Sequence, residues 1–248
     1  MTDFKLRLAD RVIAVSAQFP STKAFCEGYL ADGPADLSVS VLPADLRYER
    51  EKSAAEDELE GREARRFSDS YLETLAVYRK IAERLPEYDT FLFHGSAIAV
   101  DGVGYLFTAK SGVGKSTHAR LWRERFGARV VMVNDDKPLL RLKDGKFFVC
   151  GTPWNGKHRL STNISVPLKA VCLLERAAEN QIAPVSCREA YPLLLQQSYR
   201  PSDGGMLLKT LELTDRLGRE TALYRLGCNM DPEAAEVACY GITGGLKD

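Results

Sequence analysis

The sequence predicts an α/β protein built on a mixed sheet of α+β character, with a small appendage ahead of the main domain. Three observations predict it. Tyr71, Leu75, Tyr78, Ala82 and Leu85 recur every three or four residues, which marks one face of an amphipathic helix. Two Asp-Gly pairs, Asp101-Gly102 and Asp144-Gly145, sit between short apolar runs, as in tight hairpins whose two central residues need positive φ. A Gly-rich segment joins a strand pattern ending at Phe107 to a helix pattern beginning at Lys115. With 248 residues the chain has room for one large domain and an appendage, divided here as 1–66 and 67–248.

Element by element, Phe4, Leu6 and Leu8, and then Leu37, Val39 and Val41, alternate with polar residues and predict two half-buried strands. Asp32-Gly33-Pro34 predicts a turn. The charge-rich stretch 49–66 predicts a solvated connection or an exposed helix. The helix after it has Ser68 or Asp69 as its cap and Pro86 just past its end. Strands follow at 97–100 and 103–107, then a helix over 115–126 stopped by Gly127. A short buried strand at 130–133 and a hairpin at 139–142 and 147–150 come next, then a strand at 170–174. The tail predicts helices at 191–199 and 206–217, a strand at 223–226, and a helix opened by Asp231-Pro232-Glu233.

Composition narrows the function classes. Lys plus Arg and Asp plus Glu both total 34, so no net charge draws the chain to nucleic acid or an anionic membrane. No apolar run is long enough to span a bilayer, and Met1-Thr2-Asp3-Phe4-Lys5 lacks the form of a signal peptide. The expected compartment is the cytoplasm. The six cysteines are scattered without a Cys-x-x-Cys pair and read as buried free thiols.

Ser111, Gly112, Val113, Gly114, Lys115, Ser116 and Thr117 carry the sharpest signal. Glycines let consecutive backbone N–H groups turn inward on phosphate oxygens, and the following helix adds its unpaired N–H groups and the positive end of its dipole. Lys115 places a full charge on the β and γ phosphates of a nucleoside triphosphate, and Ser116 offers a hydroxyl to magnesium. The usual pattern begins with Gly; here Ala109 holds that position. After the strand at 130–133 come Asn134, Asp135, Asp136 and Lys137, beyond the end of a strand, where ligands of α/β sheets collect. Two adjacent carboxylates there can divide the work between a metal ligand and a proton acceptor.

Together, His94-Gly95, the loop Ser111-Gly112-Val113-Gly114-Lys115-Ser116, and Asn134-Asp135-Asp136 resemble the catalytic domain of HPr kinase/phosphorylase. That domain shares its nucleotide-binding core with ATP-dependent phosphoenolpyruvate carboxykinase. The resemblance covers roughly residues 90–140. It implies a P-loop kinase core with ATP and Mg2+ as cofactors, Asp135 as the base on the acceptor hydroxyl, Asp136 in the metal and phosphate shell, and His94 close to the reacting groups. The family assembles as hexamers, which makes an oligomer an option here.

The segment Gly151 to Arg159 packs glycines, a tryptophan and three potential cations into one loop. Trp154 is expected to be exposed and able to stack on a base or peptide side chain, and Lys157 and Arg159 to meet phosphates or an acidic substrate. Arg120, Arg123 and Arg125 read as a solvated face, one of which is able to reach a phosphate. The expected function is an ATP- and Mg-dependent kinase acting on a hydroxyl, a Ser or Thr of a protein or peptide. A small-molecule kinase and a non-catalytic nucleotide-binding regulatory or assembly protein are the alternatives.

Overall fold

Alternation sets up the first strand pair: Phe4, Leu6 and Leu8 are buried on strand β1 (Thr2–Leu8), and β2 (Arg11–Ala17) returns antiparallel to it, with Thr2 opposite Ala17. The computed structural model describes residues 1–59, 61 and 63–245, and divides into two compact units, Met1–Arg84 and Leu85–Asp248. The β1–β2 turn places Ala9 and Asp10 at φ 47° and 61°, a primed hairpin turn without glycine. Helix α1 (Pro20–Phe25) follows, then β3 (Leu37–Ser40), parallel to β2. Helix α2 (Pro43–Leu59) occupies most of the charge-rich stretch expected at 49–66; residues 60 and 62 of that stretch lie outside the described residues.

Helix α3 (Asp69–Arg84) starts where the cap residues predict, and the Ser68 hydroxyl accepts from Tyr71 N at 3.3 Å. Its buried apolar residues are Leu72, Ala76, Val77, Tyr78, Ile81 and Ala82, while Tyr71 is 43% exposed. The expected face therefore holds at Tyr78, Ala82 and Leu85 and is widened by Leu72, Ala76, Val77 and Ile81, because α3 makes contacts with α1, α2, β2 and β3. Those contacts put α3 in the first unit, so the units part after Arg84. The fully buried Glu73 accepts from Gln18 N (2.5 Å), Phe19 N (3.0 Å) and the Thr22 hydroxyl (2.5 Å), holding the start of α1.

The second unit follows in chain order. Strands β4 (Thr90–Leu92), β5 (Ser96–Val100) and β6 (Val103–Thr108) lead into helix α4 (Lys115–Phe126). Then come β7 (Val130–Asn134), β8 (Leu139–Lys143), β9 (Lys146–Cys150), β10 (Ser165–Arg176) and β11 (Gln181–Pro184). Helices α5 (Cys187–Gln197) and α6 (Gly204–Glu220), strand β12 (Ala222–Cys228) and helix α7 (Glu233–Thr243) complete it. Residues 246–248 of the expected second domain lie outside the described residues.

Among the described residues the strands of this unit form one sheet in the order β4-β8-β9-β10-β6-β5-β7, and β12 also pairs with β10 and carries β11. Strand β10 runs parallel to β6 and β12, and the other pairs are antiparallel, so the sheet is mixed. Both Asp-Gly hairpins are present, with φ 49° and 80° at Asp101-Gly102 and 50° and 72° at Asp144-Gly145. The central strands are buried on both faces. Leu106, Val171 and Leu173 pack with Leu194 of α5 and Leu213 and Leu217 of α6, whereas Phe107, Cys172 and Leu174 pack with Trp122 of α4 and Ala234 and Ala238 of α7. The period-two alternation thus feeds two cores, one on each side of the sheet. Because β7 runs antiparallel to β5, and β5 antiparallel to β6, β6 and β7 end on the same side. That brings the segment after Phe107 beside the segment after Val133.

Candidate functional site

The chain leaves β6 at Thr108 and enters α4 at Lys115 through the Gly-rich turn. Gly112 and Gly114 stand at φ 77° and 125°, conformations that a side chain would strain, while Ala109 is buried and does not stand in the left-handed region. The missing first glycine is therefore not required by the backbone. Gly114 caps α4, and the His118 N–H donates back to its carbonyl at 2.9 Å. From behind, Arg176 at the end of β10 donates to Gly112 O at 2.6 Å, a tie that the motif alone does not reveal. Val113 turns into the core beneath the loop, and Ser111 is exposed.

A cavity of about 600 Å³ opens over this turn. Gly112, Gly114, Lys115, Ser116 and Thr117 line it, with His94, Asp135 and Asp136. The two regions singled out by sequence therefore share one space. Lys115 Nζ donates to Ala109 O at 3.1 Å. Burial pushes its ammonium below the ordinary lysine range, opposed by the negative charges of Asp136 and Asp135.

The two carboxylates have different surroundings. Burial raises Asp135 above the usual carboxylate range, against hydrogen bonds from the Ser96 and Ser116 hydroxyls and the nearby His158. The Ser96 contact is 2.8 Å. Asp136 also feels burial, but the His94 hydrogen bond and the Lys137, His94 and Lys115 charges outweigh it and hold it below that range. His94 Nε2 stands 3.4 Å from Asp136 Oδ1. Its backbone N–H donates to Gln197 O at 2.8 Å, and Gly95 N–H to Asp136 O at 3.0 Å, so β4, α5 and the aspartates are stitched together.

Asn134 organises this corner. Its side-chain oxygen accepts from Asp136 N (2.8 Å) and Lys137 N (2.6 Å), and its amide donates to Thr152 O (2.9 Å), Thr152 Oγ1 (2.9 Å) and Trp154 O (3.3 Å). One buried amide thus fixes both the acidic turn and the 152–154 segment. The acidic motif by itself gives Asn134 no task; the signal for one is an Asn closing an apolar strand, where its side chain competes for backbone groups. Ser96 was missed as well, although a hydroxyl in a wholly buried strand needs a partner.

The loop after β9 departs from expectation. Trp154 is only 4% exposed, so its ring is packed away and does not present a stacking face to a ligand. Its Gly, Pro, Asn and Lys neighbours suggested a surface loop, but Gly151 to Trp154 are all buried. Gly151 has no room for a side chain, since a Cβ would lie 1.9 Å from Thr162 O. Lys157 and His158 line the cavity; Arg159 is exposed at φ 51° and does not. Among the described residues no group of three or more His, Cys, Asp or Glu side chains is placed to hold a metal. No helix among them is long and apolar enough to cross a membrane.

His118, one turn into α4, is structural. It is 2% exposed, its ring meets Phe107 edge-on with centroids 4.6 Å apart, and its Nε2 accepts from Trp122 Nε1 at 3.0 Å. Burial pushes its pKa down to about 3, so the ring is neutral.

A family model described as SynChlorMet cassette protein ScmC matches residues 68–230, well over half of the chain. The chain belongs to the ScmC family. The matched span holds His94, the Gly-rich turn, both aspartates and the 151–159 loop, so this ScmC-family cavity lies wholly inside the family region. Among solved structures, the HPr(Ser) kinase/phosphatase from Coxiella burnetii is similar, with 15% identity over 52% of this chain and 92% of that one and a TM-score of 0.30. Comparison with the curated proteins gives no match.

Proposed function

We propose that this chain is a kinase that binds ATP with magnesium over the 111–117 turn and transfers the γ-phosphoryl group to a hydroxyl, a Ser or Thr of a protein or peptide. The observation that carries the reading is the meeting of Lys115, Ser116, Asp135 and Asp136 in one cavity at a helix N-terminus. The resemblance of the His94, Ser111–Ser116 and Asn134–Asp136 motifs to HPr kinase points the same way.

In this reading the backbone N–H groups of the turn and Lys115 hold the phosphates. Magnesium, when bound, neutralises phosphate charge, and Ser116 and Asp136 are its protein ligands. The donor set suits a cation that takes its remaining ligands from phosphate oxygens and water, since Asp136 is held below the usual carboxylate range and no protein cage accompanies it among the described residues. Asp135 receives the proton of the acceptor hydroxyl as that oxygen bonds to the γ-phosphorus and the bond to the ADP oxygen breaks. A carboxylate raised by burial is better matched to that task than an ordinary one. His94 orients Asp136.

The test is incubation of the protein with γ-labelled ATP, magnesium and a lysate of the source organism. Label on a protein band, lost with Asp135→Asn, supports the proposal. Release of labelled inorganic phosphate alone, or no release, would defeat it.

A further inference from the structure

The kinase reading leaves the far end of the cavity unassigned. Beyond the phosphate end, Arg120 and Arg123 of α4, Met132 of β7, and Lys157, His158 and Leu160 line the same space. Ser116, Arg120 and Arg123 are spaced by four and three residues, so one face of α4 forms a continuous wall. Helix α4 packs on β7, and the 160–162 segment bonds to the end of that strand, with Asp135 N donating to Leu160 O at 3.1 Å and Thr162 N to Val133 O at 3.2 Å. The result is a groove leading away from Asp135, with an apolar floor and cationic sides.

The arginines of α4 differ in how their charge is matched. Arg120 pairs with Glu124 at 2.7 Å and Arg125 with Glu236 at 2.5 Å. The Arg123 side chain is half-buried, faces the cavity, and has no hydrogen-bond or carboxylate partner among the described residues; the Lys157 side chain has none either. A half-buried guanidinium without a counter-charge is best matched by an anion, and its planar fork of donors suits a carboxylate. Seven residues separate Ser116 from Arg123, or about 10 Å along a helix rising ~1.5 Å per residue. An extended peptide covers that distance in about three residues at ~3.3 Å each.

We propose that the acceptor is an extended peptide segment carrying an acidic side chain about three residues from the Ser or Thr that is phosphorylated, and that Arg123, supported by Lys157, reads that acid. This rests on the kinase reading. Met132 and Leu160 would take the apolar surface of the intervening residues.

The experiment uses the full chain and synthetic peptides with one Ser in a neutral background, Glu placed at each position from −4 to +4, and Gln at the same positions as controls. ADP release is followed, and melting curves with Mg-ATP are run alongside. The expected result is a Glu-over-Gln preference in kcat/KM of at least about tenfold at a position three residues away. Arg123→Ala should bring that ratio close to one, and Arg123→Glu should transfer the preference to Lys-bearing peptides. Transfer without an acid preference, or a preference untouched by Arg123→Ala, would overturn the inference and leave the kinase reading standing; transfer to free hydroxy acids and to no peptide would overturn the inference and the peptide acceptor with it, leaving only phosphoryl transfer from ATP. Stabilisation by Mg-ATP without transfer to any peptide also overturns the inference. Absence of both nucleotide stabilisation and transfer would instead remove the kinase reading beneath it.

Discussion

Replacing His118 by Gln should flatten the pH dependence of stability between pH 7.5 and pH 5. The folded-state pKa of His118 is pushed down by burial from 6.5 to about 3. The unfolded chain therefore takes up the proton first. The stability gained from a neutral His118 is fully present above the unfolded pKa and is lost as pH falls toward the folded one. Between pH 7.5 and 5 the linkage relation gives a loss of about 2 kcal/mol for this one group. His118→Gln keeps an acceptor for the Trp122 indole, which donates to Nε2 at 3.0 Å, so the buried N–H is not orphaned. Urea unfolding followed by tryptophan fluorescence is the assay, because both tryptophans, Trp122 and Trp154, lie in the second unit. The wild type should lose about 2 kcal/mol more than the variant over that pH interval. Equal losses in the two proteins would refute the neutral, buried His118 on which the seating of α4, and so of the phosphate turn, depends.

Other outcomes follow from the site. Asp135→Asn should keep Mg-ATP stabilisation while transfer falls by about a hundredfold or more, and Asp136→Asn should raise the magnesium requirement, read by titrating magnesium; the reverse pattern would exchange their roles. Ser96→Ala removes a hydrogen bond that favours ionised Asp135, so the acid limb of the kcat/KM profile should move to higher pH; an unmoved limb would show that Asp135 does not set it. Asn134→Ala leaves the buried Thr152 backbone and the 136–137 N–H groups without their partner, and should cost about 3 kcal/mol or more in chemical denaturation.

What could be read from sequence were features whose cause is local. Each Asp-Gly pair announces a turn because the backbone there must take positive φ, and both hairpins stand where they were expected. The Gly-rich turn and the aspartates were legible as motifs, and their sharing of one cavity follows from β6 and β7 ending on the same side. What could not be read depends on distant partners. The β1–β2 turn uses Ala9 and Asp10 in place of glycine. Strand β11 is largely exposed and held by pairing with β12, so it lacks an apolar pattern. Trp154 looked exposed because its neighbours are polar, yet Asn134, twenty residues earlier, draws its backbone inward. The buried face of α3 takes in Tyr78, Ala82 and Leu85 as expected but is wider than that stripe and leaves Tyr71 out, because its partners α1 and α2 carry no signal in the helix itself. Arg123 resembled its neighbours until the placement of Glu124 and Glu236 left it the unmatched one.

The central claim, that the cavity over the 111–117 turn is a Mg-ATP site, is tested most directly by the melting temperature with and without saturating Mg-ATP. At a concentration about one hundred times the dissociation constant, the nucleotide should add roughly 2.7 kcal/mol and raise the midpoint by roughly 5–10 °C. Lys115→Ala should lose most of that rise. A wild-type melting curve unchanged by saturating Mg-ATP would contradict the account.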